Sequence, residues 1–470
     1  MANTTPAHEE NGAHPPLTKT VSSSSNASHK RAKSFRQETA KEFQAREKHP
    51  LAGHYGHLTN DQQTAYVEFC RVLTEQGLYT PASEKAAPSH DDTTLLLPAH
   101  HGIAGFYRRF LRARKFDVPS AVTQFAETEI WRDDTKIETL YDIIDINEYE
   151  QARSVYPQWT GRRDRRGIPV YLFKVGHLND KTMTAYAKST SGKHSAAQTN
   201  SKTPDRLLRL FALYESMTHF ILPMCSALPR ENPETPVDST NNIVDIQGVG
   251  LRTFWNLKNH MQDASMLATA HYPETLDRIF IVGAPSFFPT VWGWIKRWFD
   301  PVTVSKIFIL SPAEVYPTLE KYIEKKNIPK QYGGDLEYEF GQFPNLDEDT
   351  KNLLSDLQQT TTGGWVKGPI RWVGGDGPDA KLVAVGSENG QPRRKVLAVP
   401  EHLPVSHVIN GKSGITPANL SDTPGTMGAD VSAFKKGKAV NGEAVKMNGE
   451  KSNGVLPDTI NGQMETLAIS

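Results

Sequence analysis

Cysteine is scarce: Cys70 and Cys225 are the only two in 470 residues. Two cysteines cannot build a disulfide framework, and these two lack metal-ligand spacing, so the sequence reads as a reduced, intracellular chain. Net charge is missing as well. Lys and Arg number 53 against 53 Asp and Glu, which leaves no basic excess for neutralising nucleic-acid phosphates. No long hydrophobic run exists. The longest uncharged stretch, Ile279 to Ile295, is broken by Gly283, Pro285 and Pro289, and splits better into a buried strand and a helix than into a membrane span. No apolar segment follows a basic start, so no secretory signal is read, and the sequons at Asn3, Asn26 and Asn419 carry no meaning without secretion. Catalytic motifs are absent too: there is no GxSxG elbow, no Walker loop and no HExxH.

The apolar fraction, 37%, is low for a chain that is globular throughout. It is also unevenly spread. Residues 1–45 and 400–470 are rich in Ser, Thr, Asn, Gly and Lys, with few large apolar side chains, so both are expected to be disordered tails. What is left is an apolar-rich middle. Residues 60–135 read as a helical lobe, with Ala65, Phe69, Val72 and Leu73, then Ile103, Phe106, Tyr107, Phe110 and Leu111 at helical spacing, and a third helix from Pro119 to Trp131. Residues 150–335 alternate. Strands are expected over Ile168–Phe173, Asn242–Ile246, Arg278–Val282 and Lys306–Leu310, with helices over Pro204–Leu222, Leu251–Ala270 and Pro289–Phe299. Apolar strands separated by helices imply an α/β fold with a mainly parallel sheet. Residues 336–386 form a coda with a short helix (Asp347–Leu357) and a hairpin around Trp365 and Trp372. A polar stretch, AKSTSGKHSAAQTNSKTPD, reads as a surface loop.

The charge balance is a cancellation between lobes. Residues 61–150 hold nine basic and sixteen acidic side chains, whereas residues 151–335 hold 23 basic and 16 acidic. The second lobe is therefore suited to anionic membrane surfaces. It also contains the most unusual segment, SFFPTVWGWIKRWFD. As a helix, it aligns Val291, Trp294, Ile295 and Trp298 in one stripe, which Trp292 and Phe299 widen. Such a helix is either buried or, with Lys296 and Arg297 beside tryptophan, a membrane-interface element.

FLRARKFDV (Phe110 to Val118), YPQWTGRRDRRGIPVYLF, YPET and DPVTVSKIFIL together make the chain resemble the CRAL-TRIO lipid-binding family over residues 60 to about 386. The resemblance implies an N-terminal helical lobe, a sheet with helices enclosing a hydrophobic lipid pocket, and a gate helix at Val291, Trp292, Trp294, Ile295, Trp298 and Phe299. It implies phosphatidylinositol as ligand, with Arg114, Glu274, Thr303 and Lys306 at the inositol-phospholipid headgroup. Lys and Arg can meet a phosphodiester, and a carboxylate can accept from inositol hydroxyls. From the residues alone, Glu274 and Lys306 read first as a structural ion pair and Arg114 as a helix cap; the four matched positions together favour the headgroup reading. A choline-lipid site would use Tyr214, Thr240 and Asn242, but the family's Ser/Thr pair on that strand is not kept, so the second ligand is phosphatidylcholine or another hydrophobic molecule.

The function implied is transfer of phosphatidylinositol between membranes. A lipid sensor presenting its ligand to a phosphoinositide kinase is the alternative. A nucleotide-binding α/β enzyme is the third class, resting on Gly248 and Gly250 after a strand; Thr253 stands where a dinucleotide fingerprint needs glycine. Neither a cofactor other than bound phospholipid nor a metal is expected. The resemblance further implies a monomeric, cytoplasmic protein that visits Golgi, endosomal or other internal membranes peripherally.

Overall fold

The computed structural model describes residues 40–78, 103–190, 201–299, 301–355, 365–373 and 381–398. The helices, in chain order, are α1 (40–48), α2 (Asn60–Glu75), α3 (Ile103–Ala113), α4 (Val118–Thr135), α5 (Ile137–Ile143) and α6 (Ile146–Val155). Then come α7 (Asp180–Thr190), α8 (Asp205–Ser216), α9 (Leu222–Ala227), α10 (Leu251–His271), α11 (Phe288–Ile295), α12 (Pro301–Ser305), α13 (Val315–Tyr322) and α14 (Glu348–Leu353).

The helical lobe forms where the apolar period placed it. Thr59 caps α2 in a capping box with Gln62, and Asp117 caps α4 by accepting from Ser120 N at 3.0 Å. Phe69, Leu73, Phe110, Leu111 and Phe125 fill its core, with Phe110 and Phe125 edge to face at 5.2 Å. Gln124 on α4 donates to the carbonyls of Thr269 and Ala270, which fixes this lobe to the end of α10.

The central sheet has the order β1 (Gln158–Arg163), β2 (Pro169–Lys174), β3 (Thr240–Asp245), β4 (Leu276–Val282) and β5 (Ile307–Ile309). β2 to β5 are parallel, with Ile243 opposite Phe280 and Phe280 opposite Phe308. The mainly parallel sheet read from the sequence is present. β1 is an addition: an antiparallel edge strand. Its sequence, QWTGRR, carries almost no apolar signal. Its polar groups are buried on bonds instead: Thr160 Oγ1 donates to Val170 O at 2.9 Å, and Arg163 Nε meets Asp347 at 2.9 Å. Gly161, at φ +89°, lies where a Cβ would fall 2.5 Å from the Asn345 backbone, so only glycine lets the coda lie on this strand.

Both sheet faces are covered. One packs Val170, Leu172, Ile243, Phe280 and Val282 against Leu319, Ile323, Ile328 and Tyr332. The other turns Phe173, Val244, Ile279, Ile281 and Ile307 into the largest apolar cluster, shared with α5, α6, α8, α10 and α11. The coda adds an antiparallel sheet of β6 (Ile370–Val373), β7 (Lys381–Ala384) and, beyond a small hairpin of β8 (Ser387–Glu388) and β9 (Gln391–Pro392), β10 (Lys395–Ala398). Trp372 is buried there and donates to Phe220 O at 3.2 Å.

Several boundaries differ from the sequence reading. The described chain begins at residue 40, inside the tail expected over 1–45, and the coda continues to residue 398, with Leu397 and Ala398 of its last strand buried in an apolar cluster. The helix expected over Pro204–Leu222 is interrupted by a π-turn at Met217–Ile221. The polar stretch after Ala187 begins inside α7, and residues 191–200 lie outside the described residues, as do 1–39 and 399–470. No described helix is long and apolar enough to cross a membrane.

Candidate functional site

The parallel strands all begin at one edge of the sheet, and charged residues collect there. Asp164 and Arg166 precede β2, Glu274 precedes β4, Asp277 and Arg278 open it, and Lys306 immediately precedes β5. Lys306 is buried, and its Nζ donates to Glu274 Oε2 at 2.8 Å. Glu274 sits at φ +57°, a left-handed conformation that side chains other than glycine adopt at a cost of about 1–3 kcal/mol and that recurs at functional sites. Burial works against its charge, yet Lys306 and then Arg112 hold its carboxyl below the usual range.

Two expected headgroup residues, Glu274 and Lys306, are thus brought into contact. Thr303 lies one helical turn away on α12, half-buried, and its carbonyl accepts from Lys306 N at 3.1 Å. Arg114 is placed differently. It follows the end of α3, half-buried, and makes no side-chain hydrogen bond or ion pair among the described residues. Arg112 takes the inner position: its Nη1 reaches Asp238 Oδ2 at 2.6 Å and His54 Nδ1 at 3.3 Å. Of the two arginines in FLRARKFDV, the structure thus ties Arg112 into the fold through Asp238 and places Arg114 in the turn that follows α3. Beside Arg114, Lys115 and Phe116 both have positive φ and turn the chain into α4.

Sequence reasoning missed the rest of this network. Asp277 accepts from Arg166, from Arg278 Nη1 at 2.5 Å and from Arg46 Nη2 at 3.1 Å. Burial opposes its charge, but Arg166, Arg278 and Arg46 hold its carboxyl far below the ordinary range. Asn241 Nδ2 donates to Asp164 Oδ2 at 2.8 Å. DRRG and LDR were visible as charged runs, but nothing local shows that strand pairing will bring them together.

The choline-lipid candidates are only partly assembled. Asn242 Nδ2 donates to Thr240 Oγ1 at 2.9 Å, and Thr240 Oγ1 donates to Thr275 O at 3.2 Å, so this buried pair is bonded internally. Tyr214 is on α8 and makes no hydrogen bond to that pair. Its ring packs 4.9 Å from that of Tyr272, and burial pushes its hydroxyl up to about 12.

A second buried cluster lies next to Tyr214. Glu215 accepts from both guanidinium nitrogens of Arg132, at 2.8 and 3.0 Å, from the Tyr272 hydroxyl, and from His219 Nε2 at 2.7 Å. Glu138 also meets Arg132 and lies 3.4 Å from His219. Burial lowers the proton affinity of His219, but Glu138 and Glu215 outweigh it and raise the pKa. The ligand-type atoms of Glu138, Glu215 and His219 lie within 4.8 Å of one another, as a metal would require. The Arg132 fork already occupies Glu215, and an added cation would displace it.

The segment expected as a gate is α11 followed by a 3-10 turn at Lys296–Trp298, rather than one helix to Phe299. Val291 and Ile295 are buried in the largest apolar cluster. Trp292, Trp294 and Phe299 pack half-buried against it. The Trp298 side chain lies outside the described residues. The segment therefore packs into the same apolar cluster as the sheet face, α8 and α10.

Residues 153–334 match the family model described as CRAL/TRIO domain. The SEC14 cytosolic factor of Eremothecium gossypii is 30% identical over 285 residues, covering 60% of this chain and 80% of that protein. The chain belongs to the CRAL-TRIO family. Another CRAL-TRIO relative, the SEC14 cytosolic factor of Kluyveromyces lactis, is 30% identical over 61% of this chain and 82% of its own. An Arabidopsis thaliana protein named phosphatidylinositol/phosphatidylcholine transfer protein SFH7 is 30% identical over 51% of this chain and 40% of its own length. The solved structure titled "Crystal structure of Sfh5" aligns over 69% of this chain and 98% of its own, at TM-score 0.40 and 14% identity.

Proposed function

We propose that this protein binds phosphatidylinositol and exchanges it between membranes. The observation that carries the reading is the Glu274–Lys306 pair at the starts of the parallel strands, inside a chain whose relatives include a named phosphatidylinositol/phosphatidylcholine transfer protein. Lys306 answers the phosphodiester, and Glu274 accepts from inositol hydroxyls. Thr303 and Arg114 complete the headgroup contacts. The acyl chains go into the apolar space beneath α11, where each methylene hidden from water contributes about 0.8 kcal/mol. Opening of α11 at a bilayer loads the ligand, and closure hides it. Phosphatidylcholine or another hydrophobic molecule is the second ligand.

The location of the charged site argues against nucleotide chemistry. Ligands of open α/β sheets bind outside the carboxyl ends of the strands. Here the charged cluster lies at the amino ends, whereas Gly248 and Gly250 belong to a turn at the carboxyl end of β3 that starts α10. Asp245 at that end is already engaged by Tyr332 Oη at 2.8 Å. Mass spectrometry of small molecules co-purified with the full chain tests the proposal. Phosphatidylinositol is the expected species. A bound nucleotide without lipid would overturn it.

A further inference from the structure

The headgroup residues come from three stretches far apart in sequence, around Arg114, Glu274 and Lys306. One short element touches all three. From α1, Glu42 pairs with Lys115 at 3.5 Å, beside Arg114. Phe43 packs edge-on against Phe308 at 5.8 Å, two residues beyond Lys306. Arg46 Nη2 donates to Asp277 O at 2.7 Å and to its Oδ1 at 3.1 Å, three residues beyond Glu274. Glu47 accepts from Arg278 Nη2 at 2.9 Å and from Tyr322 Oη at 3.3 Å. Positions 42, 43, 46 and 47 form one helical face, so the face is complementary to the three stretches together.

We propose that α1 is a clasp over the headgroup site and that Arg46 is a positioning residue that retains an anionic inositol headgroup. The inference rests on the phosphatidylinositol reading above. Two features support it. Arg46 adds its positive charge to those of Lys306 and Arg112 around Glu274. And α1 is held mainly by ion pairs and one aromatic contact, with most of its residues exposed, which is the make-up of an element that detaches without global unfolding. One of these pairs, Glu42–Lys115, is open to solvent on its lysine side, so part of the attachment is salt-sensitive.

The test compares release of labelled phosphatidylinositol and labelled phosphatidylcholine from the loaded full-length protein to acceptor vesicles. Arg46→Ala is expected to speed phosphatidylinositol release by about tenfold, the size of one lost charge-assisted bond, and to move phosphatidylcholine release much less. Arg46→Lys should restore most of the retention, and raised salt should bring the wild type toward the alanine variant. Phe43→Ala, which leaves every charge in place, should loosen the same clasp and serves if Arg46→Ala does not fold. Equal acceleration of both lipids would overturn the proposal, as would no acceleration of either. The Glu274→Ala/Lys306→Ala double variant separates the two levels. If it loses phosphatidylinositol while Arg46→Ala changes nothing, the clasp fails and the headgroup site stands. If it retains phosphatidylinositol, the site and the clasp fail together.

Discussion

Two carboxylates, buried Glu215 and half-buried Glu274, sit in charged clusters of opposite character. Glu215 is saturated: it accepts from Arg132, Tyr272 and His219, and these donors come from α4, the turn before β4 and the π-turn that follows α8. Glu274 has one direct hydrogen-bond partner among the described residues, Lys306, and sits in left-handed backbone at the sheet edge. A carboxylate offers about four acceptor positions. Glu215 has used them on the fold, and Glu274 has kept most of them. An ion pair alone would rank the two alike; partial exposure and spare hydrogen-bonding capacity separate ligand chemistry from structural chemistry.

The largest expected effect breaks the saturated cluster. Glu215→Ala takes from buried Arg132 and His219 the carboxylate that meets both most directly and leaves them only Glu138, at a cost of about 3–5 kcal/mol. Urea denaturation should show a matching loss of stability, or a chain that does not fold. Removing both Glu274 and Lys306 leaves no unpaired charge and should cost far less. Equal destabilisation by the two changes would end the distinction between the clusters.

Next comes the gate. Trp294→Asp places a charge on α11 where it packs half-buried on the apolar cluster, and should weaken partition onto anionic vesicles severalfold with the headgroup site intact. Co-sedimentation with vesicles checks this. Unchanged partition would make α11 a core helix only.

A smaller effect lies in pH. His260 and His271 are buried neutral, with burial the first cause, and their pKa values are lowered to about 4. Below the unfolded value of about 6.5, the unfolded chain takes up protons that the folded chain does not. Their contribution to stability is therefore present above that pH and is lost as pH falls toward 4. Thermal melts should fall over that window, and His260→Gln with His271→Gln should flatten the slope. His219, with its raised pKa, acts in the opposite sense: its contribution is full at low pH and is lost as pH rises through its folded value. A slope unaffected by the double change would show that other groups control it.

Much of the fold was legible because apolar periodicity and family motifs are local. β2 to β5 and α2 to α4 lie within a few residues of where the pattern placed them. β1 was illegible because, Trp159 apart, its buried side chains are satisfied by hydrogen bonds from Gln158, Thr160 and Arg163 rather than by apolar packing. At the site, YPET and VTVSK located Glu274 and Lys306 correctly for contact. The same reasoning named Arg114 and did not read Arg112, whose ion pair with Asp238 joins residues 126 positions apart. Arg46 and Asp277 were invisible for a different reason: they meet 231 positions apart, and the sequence around Arg46 carries almost no apolar signal.

The central claim is that the Glu274–Lys306 pair is headgroup chemistry and not scaffold. The most direct measurement is transfer of labelled phosphatidylinositol between vesicles by the Glu274→Ala/Lys306→Ala double variant, alongside its melting curve. The account predicts loss of phosphatidylinositol transfer with a folded, cooperatively melting chain. Normal transfer by that folded variant would contradict it.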